Sequence, residues 1–146
     1  GCRGVGCDIS EKALAVAAQN AKELGISAQF IQSDLFESIE GRFEYIVSNP
    51  PYIRKDMIPT LMEEVRDHEP LIALDGGEDG LDFYRKITRE ATEHLYSGGM
   101  LFFEIGYDQG ETVKLLMEEE GYEEVTVSQD LAGLDRVVYG TFNGRK

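Results

Sequence analysis

Long apolar runs are missing from this sequence: no stretch approaches the roughly 20 consecutive apolar residues that span a membrane, so no segment reads as a transmembrane helix. Cysteine is nearly absent. Only Cys2 and Cys7 occur, close together on one short segment, which excludes a disulfide framework and a Cys/His zinc cluster. Free thiols in a reducing, cytoplasmic setting are the expectation. Histidine is scarce as well, and His68 and His94 stand far apart. Each reads as a surface or helix-end residue rather than a ligand or base. Basic residues are few: 14 Lys and Arg face 28 Asp and Glu, for a net charge of −14. Such a surface repels phosphate backbones and counts against non-specific nucleic-acid binding. It leaves open a protein substrate with a basic face, and most of the charge reads simply as solubility.

The chain of 146 residues is long enough for one domain with a core of its own. Its opening, Gly1-Cys2-Arg3-Gly4, has neither an initiator Met nor the pattern of a signal peptide. It reads as an internal or trimmed fragment. Residues 3–7 form a strand candidate ending in Asp8, and Ser10 is a suitable N-cap for a following helix. Leu14, Ala17, Ala18, Ala21 and Leu24 recur at helical spacing, and Gly25 is the stop. Further strands are expected at Ala28–Gln32 and Phe43–Ser48. The stretch 53–80 is irregular, with a short helical piece at 61–65 and turns at Glu69-Pro70 and Asp75-Gly76-Gly77. A loop this long inside a compact domain is usually functional or disordered.

A helix is expected over 82–95, with Phe83, Ile87, Ala91 and Leu95 on its inner face and Ser97-Gly98-Gly99 ending it. Residues 100–105 are apolar enough for a strand buried on both faces. Asp108 is the expected cap of a helix burying Val113, Leu116 and Met117 and stopping at Gly121. Strands at 124–128 and 136–142 are close enough for an antiparallel hairpin. Strands alternating with helices predict an open, mostly parallel α/β sheet.

Proline is rare, at four residues, yet two stand side by side in Ser48-Asn49-Pro50-Pro51-Tyr52-Ile53, directly after a strand candidate. Two prolines fix φ twice and remove two backbone donors, and Asn49 before a proline is pushed towards extended backbone. A stiff, exposed corner results, bearing a carboxamide, free carbonyls and a ring. Asn49 Oδ1 and the Pro50 carbonyl can each accept one N–H of a planar amide or amino group. Holding both hydrogens turns the nitrogen lone pair outward, with Tyr52 against the flat group. Taken alone, the tetrapeptide serves equally well as a plain turn.

Asp8, Asp34 and Asn49 all fall at carboxyl ends of strands, where open α/β sheets bind ligands. Asp8 suits the hydroxyls of a ribose, or a local role beside Ser10. Asp34 could accept from the exocyclic amine of an adenine with Leu35 on the ring, or be a turn aspartate. The crevice suits an adenosine-containing cofactor beside an NH2-gripping corner.

Asn49-Pro50-Pro51-Tyr52 resembles the [N/D]PP[Y/F] motif of amino methyltransferases. Further segments resemble one family within them, the release-factor glutamine methyltransferases of the HemK/PrmC type. These are Ser33-Asp34-Leu35-Phe36, Glu69-Pro70 with Ala73-Leu74 and Gly76-Gly77, Asp79-Gly80-Leu81, Glu104-Ile105-Gly106 with Gln109-Gly110, and Asp130-Leu131-Ala132-Gly133 with Asp135-Arg136. The tetrapeptide marks a broad superfamily, whereas the ordered set, running over essentially the whole chain, is specific.

The resemblance implies a Rossmann-like class I sheet with an antiparallel C-terminal hairpin, and S-adenosyl-L-methionine as cofactor. It implies methylation of the glutamine amide in the Gly-Gly-Gln loop of a peptide-chain release factor. In that reading Asn49, Pro50 and Tyr52 are catalytic, and Asn49, Pro50, Pro51 and Tyr52 hold the substrate. Asp8 with Ile9 meets the cofactor ribose, Asp34 and Leu35 flank its adenine, Asn49 borders it, and no metal is needed. Family members begin the domain with a strand and a glycine-rich turn. Here Gly1 to Cys7 matches the strand after that turn, so weak cofactor binding is expected of this fragment, with the intact parent active. The missing first strand and upstream helical domain would also leave a gap in the sheet open to a second chain, hence a dimer.

Competing readings are a methyltransferase for the exocyclic amine of adenine in nucleic acid, disfavoured by the charge, a non-catalytic domain that kept the fold, and a nicotinamide-type dinucleotide binder.

Overall fold

The computed structural model describes residues 3–52 and 76–144. The expected helical piece at 61–65, the Glu69-Pro70 turn, Cys2 and His68 lie outside the described residues. The chain divides into two compact units, Gly1–Gly41 and Arg42–Lys146.

The first unit is a right-sized βαβ segment. Strand β1 (Gly4–Asp8) pairs in parallel with β2 (Ala28–Gln32), from Gly4 opposite Ala28 to Asp8 opposite Gln32. Helix α1 (Glu11–Glu23) connects them. It starts where expected: Ser10 is extended and its Oγ accepts from the Ala13 N–H at 3.2 Å. Gly25 closes it at φ 70°, the left-handed conformation that glycine adopts without penalty. Its apolar stripe is narrower than the spacing suggests. Leu14, Ala17 and Ala21 are half-buried, while Ala18 and Leu24 are exposed, because Leu24 stands beyond the last helical turn as the C-cap. Gly6 is small for a reason of packing, since a Cβ there would stand 3.0 Å from Phe30 Cδ1 across the strand pair.

The second unit holds β3 (Phe43–Ser48), α2 (Asp82–Ala91), β4 (Leu95–Glu104), α3 (Gly110–Glu119), β5 (Glu123–Gln129) and β6 (Asp135–Phe142). Its sheet order is β3-β4-β6-β5. β3 runs parallel to β4, and β6 is antiparallel to both β4 and β5. One face carries the core. Leu101, Phe103 and Val138 from the sheet are fully buried with Tyr84 and Ile87 of α2 and Val113 and Met117 of α3. Among the described residues, β1 pairs only with β2 and β3 only with β4, so each has one unpaired edge. No helix among the described residues is long and apolar enough to cross a membrane.

Five expectations need correction. Helix α2 ends at Ala91, not residue 95, and Leu95 opens β4 instead. Its inner face is Tyr84, Ile87, Thr88 and Ala91, so Ile87 and Ala91 stand as expected while Phe83 is only half-buried. Tyr84 wins the inner position because its ring meets Phe103 edge-on at 5.0 Å and its hydroxyl donates to the Glu104 carbonyl at 2.7 Å. Ser97-Gly98-Gly99 is not a helix stop but lies within β4, where pairing with β3 shifts register between Phe43 and Tyr45. Asp108 does not cap α3. The N-cap is Gln109, and its side chain makes no capping bond. The strand at 100–105 is also less enclosed than expected, for Met100 and Phe102 on its second face are only half-buried.

Candidate active site

Strand β3 ends at Ser48, paired with Phe103, because the following prolines have no N–H to continue the ladder. Asn49 is exposed, Pro50 is buried, and Pro51 and Tyr52 are half-buried. The prolines thus anchor the corner while the carboxamide stays in solvent. Among the described residues Asn49 makes no side-chain hydrogen bond.

The rear of the corner is lined by glycines whose missing side chains allow backbone to come close. A Cβ on Gly76 would stand 2.8 Å from the Pro51 carbonyl oxygen and 2.8 Å from Tyr52 Cα. One on Gly106 would stand 3.1 Å from Tyr52 Cδ2, and one on Gly80, at φ 79°, would strike the Tyr52 carbonyl. The buried carboxamide of Gln109 joins these pieces. Its Nε2 donates to the carbonyls of Tyr52 (3.0 Å) and Gly80 (3.3 Å), and its Oε1 accepts from the Gly106 N–H (2.9 Å).

The segment behind the corner is fixed to the start of α2. Asp79 Oδ1 accepts from the Leu81 N–H at 3.0 Å, and the Asp79 carboxylate pairs with Arg85, which also reaches Asp82. The hydrogen bond from the Arg85 guanidinium holds the Asp79 carboxyl below the usual carboxylate range.

In the first unit the predicted cofactor residues come together at the carboxyl ends of β1 and β2. The Ser33 N–H donates to the Asp8 carbonyl at 3.0 Å, which sets the turn after β2 beside the end of β1. Asp8 is exposed, and its Oδ1 accepts from the Ser10 N–H at 2.9 Å, leaving Oδ2 without a partner among the described residues. The local role of Asp8 beside Ser10 is therefore present on one oxygen. The Ile9 side chain is exposed, while its carbonyl accepts from Gln32 Nε2 at 3.1 Å. Asp34 is exposed with a carboxylate that is free among the described residues.

Leu35 adopts φ 54°, a left-handed conformation unusual for a leucine. Its carbonyl is gripped by the Ser33 hydroxyl at 2.7 Å and the Cys7 thiol at 3.6 Å. Ser33 itself is buried and its Oγ also accepts from the Ser38 N–H at 2.9 Å. Burial, and next the Asp8 charge, push the Cys7 thiol up. Two exposed carboxylates with open lone pairs, beside a half-buried leucine, fit hydroxyl and amine donors around a flat ring.

The predicted residues thus form two clusters: Asp8, Ile9, Asp34 and Leu35 in the first unit, and Asn49, Pro50, Pro51 and Tyr52 in the second. Sequence reasoning assigned no role to Gln109, Gly76, Gly80 or Gly106, although all four lie in segments that carried the resemblance. The available signal was a glutamine at a helix start, directly before Gly110, where a capping side chain is ordinarily shorter.

Residues 3–66 match the model of the Methyltransferase small domain family. The chain is 47% identical over 137 residues to a release factor glutamine methyltransferase of Agrobacterium fabrum, covering 92% of this chain and 47% of that protein. Among solved structures it is similar to a methyltransferase from Pyrococcus furiosus, with TM-score 0.71 at 21% identity, over 99% of this chain and 64% of the other. It is also similar to the Thermus thermophilus 16S rRNA N2 G1207 methyltransferase in complex with AdoMet and guanosine. There the TM-score is 0.64 at 18% identity, over 97% of this chain and 32% of the other. The structural likenesses establish the class I methyltransferase fold. The chain spans about half the length of the curated relatives it matches, and over that half it is similar to the release factor glutamine methyltransferases.

Proposed function

We propose that the protein transfers a methyl group from S-adenosyl-L-methionine to the side-chain amide of a glutamine in a peptide-chain release factor, and that the two units act as one methyltransferase domain. The observation that carries this reading is the exposed carboxamide of Asn49, bonded to none of the described residues, on a corner whose neighbours are locked from behind. Asn49 Oδ1 accepts one hydrogen of the substrate amide and the Pro50 carbonyl accepts the other. Pro51 stiffens the grip and Tyr52 lies against the flat group.

An amide nitrogen is a poor nucleophile, because its lone pair is delocalised into the carbonyl. Fixing both hydrogens gains rate through orientation. S-adenosyl-L-methionine supplies the electrophilic methyl on a positively charged sulfur that leaves readily. Asp8 and Ile9 would hold its ribose, and Asp34 and Leu35 its adenine. The edges of β1 and β3 that are open among the described residues suit addition of a further strand. One from a second copy gives a dimer that light scattering reads directly.

The test incubates the longest natural chain containing this sequence with labelled S-adenosyl-L-methionine and, separately, a release factor or an adenine-containing nucleic acid. The expected result is label on a release-factor glutamine. Label on nucleic acid alone would transfer the corner's role to the exocyclic amine of adenine.

A further inference from the structure

Gln109 occupies a helix N-cap without capping the helix. Its carboxamide is turned instead towards three backbone groups on three segments: the Tyr52 carbonyl, the Gly80 carbonyl and the Gly106 N–H. It is 8% exposed, so each of these bonds is sheltered from water and costly to leave unmade. Only a primary amide fits this set, because the site needs two donated hydrogens and one acceptor at the end of one side chain. A carboxylate offers no donor, an ammonium no acceptor, and a thioether neither to useful strength. The space is equally specific. A Cβ on Gly80 would stand 3.0 Å from Gln109 Nε2, and one on Gly106 3.0 Å from Oε1.

The corner needs such a tie. Pro50 and Pro51 have no N–H, so two of its four residues have no backbone donor to fix it. The Tyr52 carbonyl is therefore a natural anchor point, and Gln109 holds it.

We infer that Gln109 is a positioning residue for methyl transfer: by fixing the Tyr52 peptide to Gly80 and Gly106 it sets the attitude of the Asn49-Pro50 acceptor pair and of the Tyr52 ring. This rests on the reading of Asn49-Pro50-Pro51-Tyr52 as the amide grip. The prediction concerns turnover rather than cofactor affinity. Gln109→Met removes all three bonds at similar volume. Gln109→Glu keeps the acceptor towards Gly106 but points a second oxygen at two carbonyls. When that carboxyl is protonated it regains one donor towards Tyr52.

The experiment measures kcat and KM for both variants, with thermal melting alongside, in the longest natural chain that contains this sequence. Gln109→Met is expected to lose about 100-fold in kcat, the scale of a misplacement of around 1 Å, with KM for S-adenosyl-L-methionine within about twofold. Gln109→Glu is expected to lose as much near neutral pH and to recover, relative to the unmodified protein, as pH falls and its carboxyl protonates. An unchanged kcat in folded Gln109→Met overturns the inference. So does a Gln109→Glu profile parallel to that of the unmodified protein, which a merely structural role predicts. Should the methionine variant not fold, the glutamate variant across pH carries the test. If the unmodified protein methylates no release factor, the functional reading falls separately. The inference is then judged by the Asn49 side-chain amide resonances, which must shift in Gln109→Glu at neutral pH; unmoved resonances refute it.

Discussion

Leu35 and Cys7 show how a single backbone outlier draws its neighbours into service. The left-handed conformation of Leu35 costs about 1–2 kcal/mol in a non-glycine residue, and the Ser33 hydroxyl and Cys7 thiol both bind its carbonyl. Cys7 is exposed in part, yet its thiol titrates above its ordinary value. Less thiolate is then present at any given pH, and the thiolate is the reactive form. In a Cys2→Ser background, Cys7 should therefore alkylate more slowly than a free thiol at mildly alkaline pH. The difference should vanish in denaturant, and timed alkylation followed by mass analysis reads both. At this scale the placing of Asp8, Asp34 and Asn49 at or just beyond strand ends was legible from the strand patterns before them. Gln109 was not, because its partners are backbone groups, two of them on segments 57 and 29 positions away brought in by the fold, and no local pattern records them.

Helix α2 illustrates what spacing conveys and what it omits. A helix beginning at residue 82 was legible, yet Tyr84 rather than Phe83 faces inward, since only Tyr84 can offer a hydroxyl to the Glu104 carbonyl. Burial accordingly pushes its phenol well up, so it stays protonated across the working range. Tyr84→Phe should destabilise the protein by about 1–2 kcal/mol through that orphaned carbonyl, measured by denaturant unfolding with an unchanged slope.

At the entrance to the same helix, the Asp79 carboxyl is depressed by Arg85. A depressed carboxylate contributes stability above its unfolded value, near pH 4, and that contribution is lost as pH falls through the lower folded value. Asp79→Asn should flatten this part of the acid unfolding curve, by a modest amount because both partners are about half exposed. The helix end and the Ser97-Gly98-Gly99 segment were misjudged for a common reason. Glycine reads as a terminator in sequence, whereas here it serves a register shift within β4.

For the molecule as a whole, the two units differ in how they are held together. Every fully buried large side chain among the described residues belongs to the second unit, whereas α1 buries none and Ser33 is the first unit's buried polar residue. Opening free energies follow such differences in burial. Amides of β1, α1 and β2 should therefore exchange before those of β4 and β6, and uniform protection in a hydrogen-exchange time course would contradict this. The α/β class and the last hairpin were legible from alternating periodicities. The division into units was not, because it depends on burial rather than on pattern.

The central claim is that the Asn49 carboxamide grips the substrate amide, and one comparison tests it most directly. Turnover on a release factor is measured for the unmodified protein and for Asn49→Ala, together with their melting temperatures. Because Asn49 is exposed and bonded to none of the described residues, melting should be unchanged while kcat falls by about 100-fold or more. Equal turnover in the two proteins would contradict the account.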